Sequence, residues 1–271
     1  MTETLKALIV GLVQGLTEFL PVSSSGHIVI AQEMLGLHYE ESQNLLIAIV
    51  LHFATALSTM VIYRNQIFRI FRGLFQFQRN EEFLFSLKII LSMIPATLLG
   101  VFLKDTLEEL FSNLELVGFM LLITSGLLFF ADRAKNAKRD IHFKDALIIG
   151  IAQAVAALLP GISRSGTTIS TSIILGNERS QAAQFSFLMV LPLIFGATAK
   201  MFIDAQSSGV LIMEQVSGSA LLAGFIAAFF SGLIACKWMI SLVKKAKLTW
   251  FAVYCLLVGL TVIGYSLFFK S

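Results

Sequence analysis

Charge is scarce in this chain. Asp, Glu, Lys and Arg together make up 14% of its 271 residues, where a soluble domain needs roughly 25% to cover its surface. That shortfall excludes a water-exposed globule and leaves lipid as the outer surroundings. The net charge of +3 is small and dispersed, so nucleic acid is not expected as a partner. Cysteine is also rare. Cys236 and Cys255 fall in apolar stretches without ligand-like spacing, so both read as inert buried thiols. Only four prolines occur, and two of them, Pro21 and Pro160, interrupt apolar runs.

Long apolar stretches dominate what is present. A helical crossing of a bilayer needs about 20 mostly apolar residues, and six stretches qualify: 45–63, 84–103, 116–131, 183–203, 220–243 and 251–269. The connections between them divide by charge. Arg64, Arg69, Arg72 and Arg79 follow the first; Arg133, Lys135, Lys138, Arg139 and Lys144 follow the third; Lys237, Lys244, Lys245 and Lys247 accompany the fifth. With Arg179, 14 of the 20 basic residues lie on one side, the side expected to be cytoplasmic. The opposite connections carry Asp105, Glu108, Glu109, Asp204 and Glu214, with Lys104.

Two further apolar segments are broken. Residues 5–20 contain Gln14, Thr17 and Glu18 and stop at Pro21, before Ser23-Ser24-Ser25-Gly26-His27. Residues 146–159 stop at Pro160, before Gly161-Ile162-Ser163-Arg164-Ser165-Gly166. Proline ends each first half by removing a backbone donor, and the serines suit an N-cap for the second. Irregular backbone is intolerable against lipid, so each break belongs inside protein or against a water-filled cavity. Two re-entrant helix hairpins are expected, 5–37 and 146–175; a conventional kinked crossing is the alternative, which fits the charge pattern less well. A shift of 139 residues superposes the two segments, with 8 identities in the 18 positions 7–24, including Gly11 with Gly150, Gln14 with Gln153 and Pro21 with Pro160. Each hairpin precedes three crossings, so the expected fold is an all-α polytopic membrane protein in one membrane domain. Its halves, 1–131 and 140–271, would form an inverted-topology repeat with six transmembrane helices.

The hairpin breaks gather the polar residues. Gln14 and Glu18, four apart, share a helix face. Unpaired buried charge is costly, so an ion pair of Glu18 with Arg164 is one reading, purely structural. A chemical reading uses more of the residues. First-turn amides, serine hydroxyls and an arginine form an anion site suited to phosphate; Glu18 and His27 supply acid–base groups, and Ser24 a nucleophile. One carboxylate together with substrate phosphate oxygens is a common way to hold Mg²⁺.

The blocks QGLTEFLPVSSSGH (Gln14–His27) and PGISRSGTT (Pro160–Thr168) resemble the paired signatures of the undecaprenyl-diphosphate phosphatases, the bacitracin-resistance proteins of bacteria. The resemblance implies hydrolysis of undecaprenyl diphosphate to the monophosphate lipid carrier of cell-wall synthesis, a divalent cation (Mg²⁺ or Ca²⁺), and residence in the bacterial cytoplasmic membrane with the site open to the outside. Carried over, Glu18, Ser24, His27 and Arg164 match the catalytic set, with Glu18 also on the metal. Gln14, Ser23, Ser25, Ser163, Ser165 and Thr168 match substrate-binding positions. Gln14 stands where many members have Glu, which leaves Glu18 as the sole acidic group. Implied partners are a polyprenyl diphosphate and membrane lipid; a homodimer stays open. Transport or flipping of a polyprenyl phosphate by the same site is the rival function, because broken helices in repeats are also a transporter architecture. His52 is expected to be a satisfied core histidine, with pocket lining as the alternative, and Lys88 and Lys200 are expected to snorkel from span ends.

Overall fold

The computed structural model describes residues 1–37, 41–76, 78–102, 114–135, 138–208, 216–245 and 247–269. Within them the chain forms eleven helices and, apart from an isolated bridge between Arg139 and Asn177, no strand pairing. In chain order these are α1 (Glu3–Phe19), α2 (Ser24–Met34), α3 (Glu41–Ile62), α4 (Arg64–Leu74), α5 (Glu81–Phe102), α6 (Leu114–Arg133), α7 (Phe143–Leu158), α8 (Arg164–Ile174), α9 (Arg179–Ser208), α10 (Gly218–Lys244) and α11 (Thr249–Phe269). Six of them, α3, α5, α6, α9, α10 and α11, are long and apolar enough to cross a bilayer. They are the six stretches expected from hydropathy, each beginning two to four residues earlier than expected. Of the residues used to orient the chain, Lys104, Asp105, Glu108, Glu109 and Glu214 lie outside the described residues, as does the side chain of Asp204.

Both interrupted segments are helix–break–helix units. Leu20 and Leu159 leave α1 and α7 in extended conformation, as the residue before a proline prefers. The second helices restart on serine N-caps: Ser23 Oγ accepts from Gly26 N at 3.2 Å, and Ser163 Oγ accepts from Gly166 N at 3.0 Å. Ser23 does so at φ 71°, a left-handed conformation that non-glycine residues adopt rarely and at a cost of about 1–3 kcal/mol. Such strain persists only where the surroundings impose it.

Each unit packs chiefly on a span from the other half of the chain: α1 lies along α10, and α7 along α5. Glycine makes both approaches possible. A Cβ on Gly11 would fall 2.3 Å from Gly224 O, and one on Gly150 would fall 2.4 Å from Ser92 O; these glycines are paired by the 139-residue shift. The remaining spans close around them, α3 against α10 and α9, and α6 against α11. Leu121, Leu128, Phe187, Met239 and Leu248 fill the largest core cluster. At one end of the bundle Asp132 accepts hydrogen bonds from Leu248 N and Thr249 N at 3.1 Å and pairs with the buried Arg179, tying α6, α9 and α11 together. The helix α4 was not expected; its residues read only as a basic connection. Ile67 and Ile70 pack it against the bundle.

Candidate active site

The α1–α2 and α7–α8 breaks meet at Glu18, the penultimate residue of α1. Its carboxylate is buried, with 5% of the side chain exposed, and one oxygen is ion-paired with Arg164 at the first position of α8. The other oxygen accepts from Ser24 Oγ at 2.7 Å and from Gln14 Nε2 at 3.0 Å. The i,i+4 spacing of Gln14 and Glu18 thus becomes a hydrogen bond, and the arginine 146 residues away supplies the counter-charge. A cleft of about 210 Å³ opens beside them, lined by Glu18, Phe19, Thr55, Thr59, Arg164 and Phe187.

The four residues expected to be catalytic occupy this site unequally. Glu18, Ser24 and Arg164 are directly connected. His27 lies one turn beyond Ser24 on the same face of α2, but its ring nitrogens face elsewhere. Nδ1 is 2.8 Å from Ser23 O and Nε2 is 2.8 Å from the Tyr254 hydroxyl. A carbonyl can only accept, so Nδ1 carries the proton; the basic nitrogen of the neutral ring is Nε2, and Tyr254 donates to it. The two rings stack nearly parallel, 14° apart.

The histidine that faces the carboxylate is His52 of α3. Its Nε2 is 3.6 Å from the Glu18 oxygen that receives the Ser24 hydroxyl, and its Nδ1 is 2.7 Å from Ala48 O. Of the two readings of His52, a core histidine or a pocket-lining one, the second fits: about a third of its side chain is exposed. Neither His52 nor Tyr254 stands in a signature block, so position in the sequence gave no hint of either. Only the polarity of a histidine within an apolar span could have drawn attention to His52.

The remaining polar residues build the frame. Ser23 and Ser163 cap helices; Ser25 and Ser165 lie 3.3 and 3.4 Å from them through their hydroxyls, and Ser165 also donates to Leu20 O. Ser163 N donates to Thr124 Oγ1 at 3.0 Å, anchoring the second break to α6. The Thr168 hydroxyl bonds Arg164 O at 2.9 Å and Ser186 Oγ at 2.6 Å, so it fixes the arginine's backbone from behind. Each cap serves one amide of its helix's first turn, and among the described residues those of Ser24, Ser25, Arg164 and Ser165 meet no acceptor at two positive helix ends. Such a place attracts phosphate.

A divalent cation would find one carboxylate here, Glu18; among the described residues no group of three His, Cys, Asp or Glu side chains comes together. The amide oxygen of Gln14 is fully buried and has no hydrogen-bond partner among the described residues. Beside Glu18, it adds an oxygen donor of the kind Mg²⁺ and Ca²⁺ prefer. The donor set fits a cation held jointly with a ligand's own oxygens, and does not form a closed cage.

Residues 7–261 match the family described as bacitracin resistance protein BacA. Three relatives are each named undecaprenyl-diphosphatase. The protein of Christiangramia forsetii is 55% identical over 261 residues, covering 96% of this chain and 97% of the relative. That of Parabacteroides distasonis is 50% identical over 97% and 98%, and that of Bacteroides fragilis 51% identical over 97% and 98%.

Proposed function

From the premise that the chain belongs to the family of bacitracin resistance protein BacA, we infer its activity: it hydrolyses undecaprenyl diphosphate to undecaprenyl phosphate and inorganic phosphate. The protein is a multi-pass membrane phosphatase acting on a lipid. The observation that carries the chemistry is the Ser24 hydroxyl donating to a buried carboxylate that is itself held by Arg164.

The following roles are our proposal. The diphosphate binds at the first turns of α2 and α8, where the Ser24, Ser25, Arg164 and Ser165 amides and the unused N–H groups of the Arg164 guanidinium meet its negative charge. Ser24 Oγ attacks the terminal phosphorus and its proton passes to Glu18; the bridging P–O bond breaks and undecaprenyl phosphate leaves. Water then attacks the phosphoserine phosphorus and gives its proton to the Tyr254 hydroxyl as that hydroxyl passes its own to His27 Nε2. The P–O bond to Ser24 breaks, Ser24 recovers the proton held by Glu18, and His27 gives up its proton to the departing inorganic phosphate. Direct attack by water, with His27 as base, is the rival route. Glu18 and Gln14, with the substrate's oxygens, would hold Mg²⁺ or Ca²⁺, whose charge would offset the negative charge that builds on the phosphoryl oxygens.

Transport without hydrolysis is the weaker reading, because anion binding alone does not need a hydroxyl on a carboxylate. The exchange of packing partners between the halves, with matched Gly11 and Gly150, supports the inverted repeat. The grouping of basic residues supports the assignment of one face as cytoplasmic; an active site that opens to the opposite face, in a bacterial inner membrane, is what the family resemblance implies. The deciding experiment is phosphate release from a polyprenyl diphosphate by purified protein. Turnover that EDTA abolishes and added Mg²⁺ or Ca²⁺ restores is expected; passage of intact lipid across liposomes without phosphate release would overturn the phosphatase reading.

A further inference from the structure

The helix α4 joins the end of one span, α3, to the start of another, α5. Both spans end on the same side there, so an 11-residue helix between them sits at headgroup level. Tyr63 is the only residue separating α3 from α4, and Asn80 pins the far end: its Nδ2 donates to Gly73 O at 2.9 Å and its Oδ1 accepts from Phe83 N at 2.8 Å. These contacts tether both ends of the helix.

At 100° per residue its side chains divide into three stripes. Ile67, Ile70 and Leu74 form one, and Ile67 and Ile70 pack against the bundle. Phe68 and Phe71, with Phe75 just beyond the helix, form the second; they are 68%, 56% and 74% exposed. Arg69 and Arg72, both exposed, form the third; the exposed Arg64 heads the phenylalanine stripe at the N-terminal end of the helix, one turn before Phe68, where its long side chain can reach the headgroup level. The phenylalanine stripe lies between the protein-facing isoleucines and the arginine stripe. That order, protein, acyl chain, then headgroup, is the one an in-plane helix needs at a membrane surface. No carboxylate occurs within α4, and among the described residues none of its arginines pairs with one. Arg64 reaches only Val61 O, and Arg69 only Gln66.

We propose that α4 is a binding surface for anionic phospholipid headgroups, with Arg64, Arg69 and Arg72 on the phosphates and Phe68, Phe71 and Phe75 among the acyl chains. This surface is separate from the phosphatase site and does not depend on it. An anionic lipid is the fitting occupant, since among the described residues none of the three guanidinium groups is paired with a carboxylate. Each arginine near such a surface contributes about fivefold in affinity, on the order of a hundredfold for three.

Two measurements on the full-length protein test this. In the first, nanodiscs of phosphatidylcholine receive graded phosphatidylglycerol, and lipid retained by the protein is counted by native mass spectrometry. Wild type should retain phosphatidylglycerol selectively; Arg69→Gln should weaken retention about fivefold, and Arg64→Gln/Arg69→Gln/Arg72→Gln about a hundredfold. In the second, a nitroxide is placed at Phe68→Cys or Arg72→Cys, the native Cys236 and Cys255 being buried. Position 68 should be reached by oxygen more than by a water-soluble nickel complex, and position 72 the reverse. Equal retention by wild type and triple variant, or aqueous exposure at position 68, overturns the proposal.

Discussion

Replacing Glu18 by Gln should separate the two roles of the buried carboxylate. Four groups converge on it: Arg164, Ser24, Gln14 and His52. An amide has a single acceptor oxygen. If that oxygen turns to Ser24, the amide nitrogen meets the Arg164 guanidinium donor to donor; if it turns to Arg164, Ser24 and Gln14 lose their acceptor. Removing one member of a buried ion pair costs about 3–5 kcal/mol. Arg164 keeps 19% of its side chain exposed, so water screens part of the stranded charge and we place the loss at about 3 kcal/mol. Because Glu18 takes the Ser24 proton in our scheme, turnover should fall by about 10²–10⁴. Reversible unfolding in detergent measures the first quantity and phosphate release the second. Adding Arg164→Met should restore about 2 kcal/mol of stability, since contacting residues couple by about 0.5–3 kcal/mol, and no activity. Stability of Glu18→Gln within about 0.5 kcal/mol of wild type, or additive losses in the double variant, would mean that the pair is not the buried contact described here.

Other expectations can be checked with the same assays. His52→Ala should lower kcat about tenfold, equivalent to about 1.4 kcal/mol at the transition state; unchanged turnover would return His52 to a packing role. Tyr254→Phe keeps the stacked ring and removes the donor to His27, so kcat should fall about five- to tenfold with KM unchanged, roughly the value of one hydrogen bond. A matched rise in KM would point to substrate binding instead. Ser24→Ala should abolish formation of any phosphoserine trapped by rapid quench; a wild type that accumulates none, with full activity, favours direct attack by water. Gly11→Ala should destabilise by about 1–3 kcal/mol because its methyl would press on backbone, whereas Gly126→Ala, with open space beside it, should be neutral or stabilising by up to about 1 kcal/mol.

The spans and breaks were legible in the sequence because lipid enforces them through one-dimensional properties, hydropathy and the loss of a backbone donor at proline. Glu18, Ser24 and Arg164 were legible because polar residues at such breaks must find one another. What the sequence hid depends on distance across the bundle. The approach of His52 to Glu18 is fixed by how α3 rotates against α1. His27 was expected beside the nucleophile as its base, but its ring is held by a carbonyl and by a tyrosine 227 residues away. The amphipathic α4 was missed for another reason: counting its arginines as loop charge set aside the isoleucine and phenylalanine stripes between them.

The exchange of packing partners between the two halves sets an order of assembly. As the chain leaves the ribosome, α1 is made before anything that can cover its glycine face, since α10 follows some two hundred residues later. Glu18 likewise waits for Arg164. The first helix–break–helix unit therefore keeps its polar break uncovered until nearly the whole polypeptide has been made, and biogenesis must shelter it, by translocon or by water, for that interval.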